Sequence, residues 1–135
     1  MTLATSQRIS AMSFRQAFDA ERLKRETERR AREDAERARQ EADEARSIEL
    51  HEILAADPGF LAEKKLVLER SRYTVGLEHA DFRLRAYFED GQINVTAADK
   101  RSATTITAAP TKQQSVDSVQ QALDVLAQYL ADETV

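Results

Sequence analysis

The chain predicts a mixed α+β protein: a long N-terminal charged α-helix of coiled-coil character, then a small domain with a four-stranded antiparallel meander and a C-terminal helix. Three observations carry this. Residues 14–56 hold neither Gly nor Pro and are dominated by Ala, Arg and Glu, all strong helix formers. From residue 73 the apolar spacing changes to simple alternation, the period of half-buried strands. From residue 116 it returns to a helical stripe. The expected organisation is a flexible N-terminal segment at 1–13, the charged helix or coiled coil at 14–56, and the α+β domain at 57–135.

Charged residues make up 33% of the 135 positions, and 3 Gly and 2 Pro leave few obligatory turns. The roughly 25% charge of an average globular protein is well below that value. A net charge of −4 argues against a chain that coats nucleic acid. Without cysteine there is neither a disulfide framework nor a thiolate metal site. No apolar run approaches the about 18 residues of a membrane span. Residues 1–13 lack the apolar core of a secretory signal, so the expected location is cytoplasmic.

Ser13 is placed to cap the long helix. Continuous over 14–56, the helix would run about 65 Å at about 1.5 Å per residue. Its surface carries acid-before-base pairs four apart, Glu21/Arg25, Glu26/Arg30, Glu28/Arg32 and Glu33/Arg37. Each adds ~0.2–0.5 kcal/mol to an isolated helix. Ala31, Ala35, Ala38, Ala42 and Ala45 alternate at spacings of four and three, which is the seam of a coiled coil. With Ala31, Ala38 and Ala45 at d and Ala35 and Ala42 at a, Arg39 and Arg46 fall at e, and Asp34 and Glu41 at g.

In a parallel homodimer Asp34 would then meet Arg39 of the other chain, and Glu41 would meet Arg46. An antiparallel pair would set arginine e positions against each other. Charge polarity pulls the other way: residues 14–32 hold seven bases and four acids, residues 33–57 three bases and nine acids. That polarity opposes the helix macrodipole, and an antiparallel neighbour would cancel it. Contact charges act at shorter range than these summed fields, so a parallel homo-oligomer is the expectation. Two readings compete with it. The seam spans under three heptads and alanine buries little area, which suits a monomeric helical spacer. Ala20, Ala31, Ala42 and Ile53 also fit an eleven-residue repeat. Ile48, Leu50, Ile53 and Leu54 lie off the alanine stripe and mark where the helix meets the folded domain.

Asp57-Pro58 is a helix start and predicts a short helix through Phe60, Leu61, Lys64 and Leu68, ending near Arg70. Tyr73, Val75 and Leu77 alternate with polar residues, as do Phe82, Leu84, Ala86 and Phe88. Asp90-Gly91 between alternating runs predicts a tight hairpin leading into Ile93, Val95 and Ala97. A threonine-rich strand is expected at 102–108. Pro110-Thr111 then opens the last helix, with Thr111 and Gln114 in capping-box spacing and an apolar stripe at Val116, Val119, Leu123, Leu126 and Leu130.

Chemistry finds little support. His51-Glu52 begins a zinc-protease motif, but Ala55 stands where its second histidine belongs. His79 and Asp81 offer two metal ligands at what reads as a solvated turn. The three glycines at 59, 76 and 91 make no phosphate loop. No enzyme activity, cofactor or metal is expected.

Arg8, Arg15, Arg22 and Arg29 recur every seven residues, a stripe suited to a phosphate backbone. Arg83, Arg85 and Tyr87 fall on the outer sheet face, a mixture that serves single strands. Antiparallel sheets normally present a polar outer face to water, so nucleic acid is the alternative and not the expectation. Residues 1–18, with Leu3, Ile9, Met12, Phe14 and Phe18 beside Arg8 and Arg15, suit either a membrane surface or a partner protein. The functional expectation is a non-catalytic scaffold or adaptor that self-associates through its helix and binds a protein partner.

Overall fold

Helix α1, Phe14–Ala55, begins at a reciprocal cap: the Gln16 amide donates to Ser13 Oγ and the Ser13 amide to Gln16 Oε1, each at 3.0 Å. The computed structural model describes residues 12–101 and 109–134. The described chain divides into two units, with the boundary between Ala38 and Arg39, so residues 39–55 of α1 count with the sheet.

In the first unit α1 is held by its own backbone and by side-chain pairs along its surface. Arg25 meets Glu21 at 3.1 Å, Arg30 meets Glu26 at 3.0 Å and Arg29 meets Glu33 at 3.0 Å. The third pairing differs from the expected Glu33/Arg37, because Arg37 turns back to Asp34 at 3.3 Å.

The second unit is a five-stranded antiparallel meander in the order β1 to β5: β1 Val67–Arg70, β2 Thr74–Glu78, β3 Phe82–Glu89, β4 Gln92–Asp99 and β5 Pro110–Val116. Short helix α2, Pro58–Glu63, precedes it and helix α3, Val119–Thr134, follows it. Alternation decides the faces. Val75 and Leu77, Phe82 through Phe88 at every second position, and Ile93, Val95 and Ala97 are buried. Their inner face is covered by Val119, Ala122, Val125, Leu126 and Tyr129 of α3 and by Leu50 of α1. Asp90 and Gly91 form the β3–β4 turn with φ of 51° and 80°, the left-handed pair that a two-residue hairpin requires.

The strand count exceeds the expected four, and two boundaries explain why. The short helix stops at Glu63. Lys65 adopts φ 57°, the Leu66 amide donates to Leu61 O at 2.9 Å, and the chain leaves as β1 where helix was expected to continue. Pro110 opens a strand and not the last helix. As the first residue of an edge strand its missing N–H costs no ladder bond, and Ala98↔Pro110 through Ile93↔Val116 pair β5 to β4. The capping box stands one element later, where the Gln121 amide donates to Ser118 Oγ at 3.1 Å and the Ser118 amide to Gln121 Oε1 at 3.2 Å. Thr111 instead donates its hydroxyl to Ala97 O at 3.2 Å. The strand expected at 102–108 lies outside the described residues.

Candidate interaction site

Residues 39–55 of α1 are anchored to the sheet mainly by polar groups at the spacing of one helical face. Asp43, 5% exposed, accepts from the Asp90 amide at 2.8 Å and from the Gly91 amide at 3.0 Å. A left-handed turn points these two N–H groups away from the ladder, and a helix-borne carboxylate satisfies both. One turn further on, Arg46 donates to Gly91 O at 2.7 Å and also to Asp117 O. Ser47, fully buried, donates to Arg72 O at 2.9 Å, and Glu44 pairs with Arg72 at 2.9 Å. Leu50 fills the core below them.

Past this anchor an apolar groove of about 410 Å³ opens, with Ile53 and Leu54 of α1, Phe60 and Leu61 of α2, and Leu123 and Leu130 of α3 in its walls. Ile53 is 39% exposed and Phe60 41%, so this is a surface and not a closed core. Concave apolar surface rimmed by polar groups is what a protein segment uses for docking. Of the four side chains expected to seat α1 on the domain, Leu50 is buried and Leu54 is packed against the core, while Ile48 is 37% exposed and Ile53 faces the groove.

The first unit offers a different surface. From residue 12 to residue 38 no residue is buried, and Phe14 is 90% exposed, Phe18 57% and Leu23 66%. Ala31, Ala35, Ala38, Ala42 and Ala45 are all exposed, so the alanine seam is uncovered along its length. The charges expected to flank it have other partners. Asp34 holds Arg37, Arg39 lies 3.7 Å from Asp90, and Arg46 is bound to the two carbonyls above, while Glu41 stays exposed. The arginines assigned to pairing across a parallel dimer are therefore engaged inside the chain.

Among the described residues, the basic residues of the nucleic-acid alternative divide between exposed and ion-paired positions. Arg8 lies outside the described residues. Arg15 and Arg22 are exposed, whereas Arg29 pairs with Glu33. On the sheet Arg83 is bound to Glu78, which also takes Lys100 at 3.1 Å and lies 3.8 Å from Arg85. Burial alone would raise the Glu78 carboxyl, but the hydrogen bonds and charges of Arg83 and Lys100 outweigh it and hold the group below its ordinary value. Tyr87 is 42% exposed.

His79 Nδ1 accepts from the Asp81 amide at 3.0 Å and its ring stacks on Phe82 at 4.4 Å, so the pair builds the β2–β3 turn. Among the described residues no three His, Cys, Asp or Glu side chains gather as a metal site, and no helix is long and apolar enough to cross a membrane.

Sequence reasoning missed Asp43 and Ser47 because polar residues on a charged helix read as solvent-facing. The signal was present as the spacing Asp43, Ser47, Leu50, Leu54, a helical stripe parallel to the alanines. The groove was missed because one wall, Leu123 and Leu130 of α3, is distant in sequence from Ile53, Leu54, Phe60 and Leu61 in the other. The class defined so far is an α+β protein with a five-stranded meander covered on one face by helix. Comparison with protein-family models, with curated proteins and with solved structures returns no match for the chain.

Proposed function

We propose that the chain is a non-catalytic scaffold or adaptor protein that self-associates through α1 and takes a protein segment in the groove of its second unit. The observation that carries this is the uncovered face of α1: five alanines at seam spacing and Phe14 and Phe18 are exposed. Alanine permits close approach of helices but buries little, and phenylalanine adds the area that alanine lacks. The groove supplies a second apolar surface of a size suited to a few side chains. The engagement of Arg29 and Arg83 by Glu33 and Glu78 weighs against the nucleic-acid alternative.

The test is the mass of the full chain by light scattering from low to high micromolar concentration. An oligomer that dissociates on dilution is expected. Ala38→Asp with Ala42→Asp, both on exposed positions, should return it to single-chain mass with an unchanged circular dichroism spectrum. A unit mass at every concentration overturns the proposal and leaves the monomeric spacer.

A further inference from the structure

We infer that the groove of one copy receives the Phe14–Phe18 turn of a second copy, with the two α1 helices running antiparallel. The inference rests on the self-association reading and names the occupant of the groove. Three observations point to it.

The first removes the case for parallel helices. That case needed Asp34 to meet Arg39 and Glu41 to meet Arg46 across the pair. In the structure Arg46 donates to Gly91 O and Asp117 O, and Arg39 stands beside Asp90. The objection to antiparallel helices weakens with it, since the arginines that would repel at e positions include these same two. What remains is charge polarity. Residues 14–32 carry seven bases against four acids, and residues 33–57 three against nine, so antiparallel helices lay a basic half beside an acidic half twice over.

The second is the register. Antiparallel seams join an a position of one helix to a d position of the other. Joining Ala35 to Ala38 of the second copy also joins Ala31 to Ala42, so alanine meets alanine in four successive layers by symmetry. Carried outward along the unbroken helix, the same register sets Phe18 level with Ala55 of the second copy and Phe14 one turn past it. Phe14 and Ala17 occupy a and d of the same seam. Phe18 falls at e, the position that Ile53 holds on the second copy, and Phe14 lies level with Gly59, next to Phe60 of the groove wall.

The third is matched need. Among the described residues Phe14 is 90% exposed and Phe18 57%, and the groove wall is 39% exposed at Ile53 and 41% at Phe60. An aromatic side chain brings roughly 150–250 Å² of surface to a contact. Reciprocal seating, each turn in the other copy's groove, closes the assembly at two chains.

The chain has no cysteine, so introduced ones report alone. Full-length Phe18→Cys and Ala55→Cys chains, both altered at exposed positions, are mixed and oxidised at a concentration where the unmodified chain associates. The expected product is the mixed disulfide between the two variants, with little of either self-disulfide. Ala127→Arg, at an exposed position in the groove wall, and Phe14→Asp with Phe18→Asp should each raise the dimer dissociation constant at least about tenfold without changing the thermal melt at a concentration where the unmodified chain is monomeric.

A Phe18→Cys self-disulfide indicates parallel helices. That result, or an associated chain that yields no disulfide, or a dimer untouched by Ala127→Arg, overturns this inference while self-association stands. A chain that is monomeric throughout overturns both.

Discussion

Residues 14–38 and residues 39–55 belong to one helix and share a charged, alanine-rich composition, yet they satisfy their charges in opposite ways. In the first stretch acids and bases answer one another along the helix surface, as Glu21 does Arg25 and Glu26 does Arg30. In the second, Asp43, Glu44, Arg46 and Ser47 all bond to groups distant in sequence, namely the β3–β4 turn, the carbonyl of Asp117 and Arg72. The difference does not lie in apolar content, since only Leu50 is a buried hydrophobe of α1. A helix joins a core here because a few polar side chains stand at the period of one face, opposite backbone groups that the sheet leaves unpaired. Hydrogen bonds to such groups fix position more than they add stability, because an acceptor one residue out of place leaves both turn amides without their partner.

The strongest way to break this comparison is to truncate a leucine in each stretch. Leu50→Ala removes a side chain with no exposure and is expected to cost about 2–5 kcal/mol, read by urea unfolding. Leu23→Ala, at 66% exposure, is expected to shift the same transition by no more than about 0.5 kcal/mol. Equal losses at both positions would mean that residues 14–38 are as firmly built into the fold as residues 39–55.

Asp43 sharpens the point with a polar group. Asp43→Ala strips the Asp90 and Gly91 amides of their acceptor and is expected to cost about 2–3 kcal/mol in the same experiment. Asp43→Asn keeps one oxygen and should lose less. Amide exchange supplies the second readout, with the Asp90 and Gly91 protons losing protection first. Loss of protection spread evenly over the sheet would assign Asp43 a general packing role.

How much of this was legible follows from the physics of each signal. Ser13, the helix from Phe14 and the hairpin at Asp90-Gly91 were readable because their determinants are local: a cap, an unbroken run of helix formers and a left-handed turn pair. The alternating residues of β2, β3 and β4 were readable for the same reason. β1 was read as helix because Lys65 holds the left-handed position that glycine usually marks. β5 was hidden because Thr111-Lys112-Gln113-Gln114 carries no apolar alternation. It forms by pairing with β4, and its Lys112 reaches Asp132 at 2.7 Å; both partners are long-range. The anchor was the least legible part, since a buried aspartate and a buried serine look like surface until the turn they serve is in place.

The same contrast extends to ion pairs. Glu78 is 17% exposed and bound by Arg83 and Lys100, whereas the helix pairs of residues 14–38 keep more than a third of every side chain in water. The Glu78 carboxyl lies below its ordinary value of 4.5 in the folded chain, so the unfolded chain takes up the proton at higher pH. The stability it contributes is therefore present above about pH 4.5 and lost as pH falls through the lower folded value. Glu78→Gln is expected to cost about 1 kcal/mol near neutrality and to flatten the decline below pH 4.5. A variant that kept the same acid limb as the parent would shift that decline to other carboxylates.

The smallest effect belongs to a pair in the first stretch. Arg30 and Glu26 lie 3.0 Å apart with side chains 70% and 42% exposed, so water screens their attraction and side-chain entropy opposes it. Glu26→Gln is expected to loosen local helix opening by only ~0.2–0.5 kcal/mol and to leave the unfolding transition of the sheet where it was. The local change, read by amide exchange over residues 22–30, should shrink further in added salt, because exposed pairs weaken as the screening length shortens. Asp43 should show little such dependence, because its carboxylate is 5% exposed and its partners are neutral backbone amides. A salt-sensitive Asp43→Ala penalty, or a Glu26→Gln penalty that matched it in size, would erase the distinction between the two halves of α1.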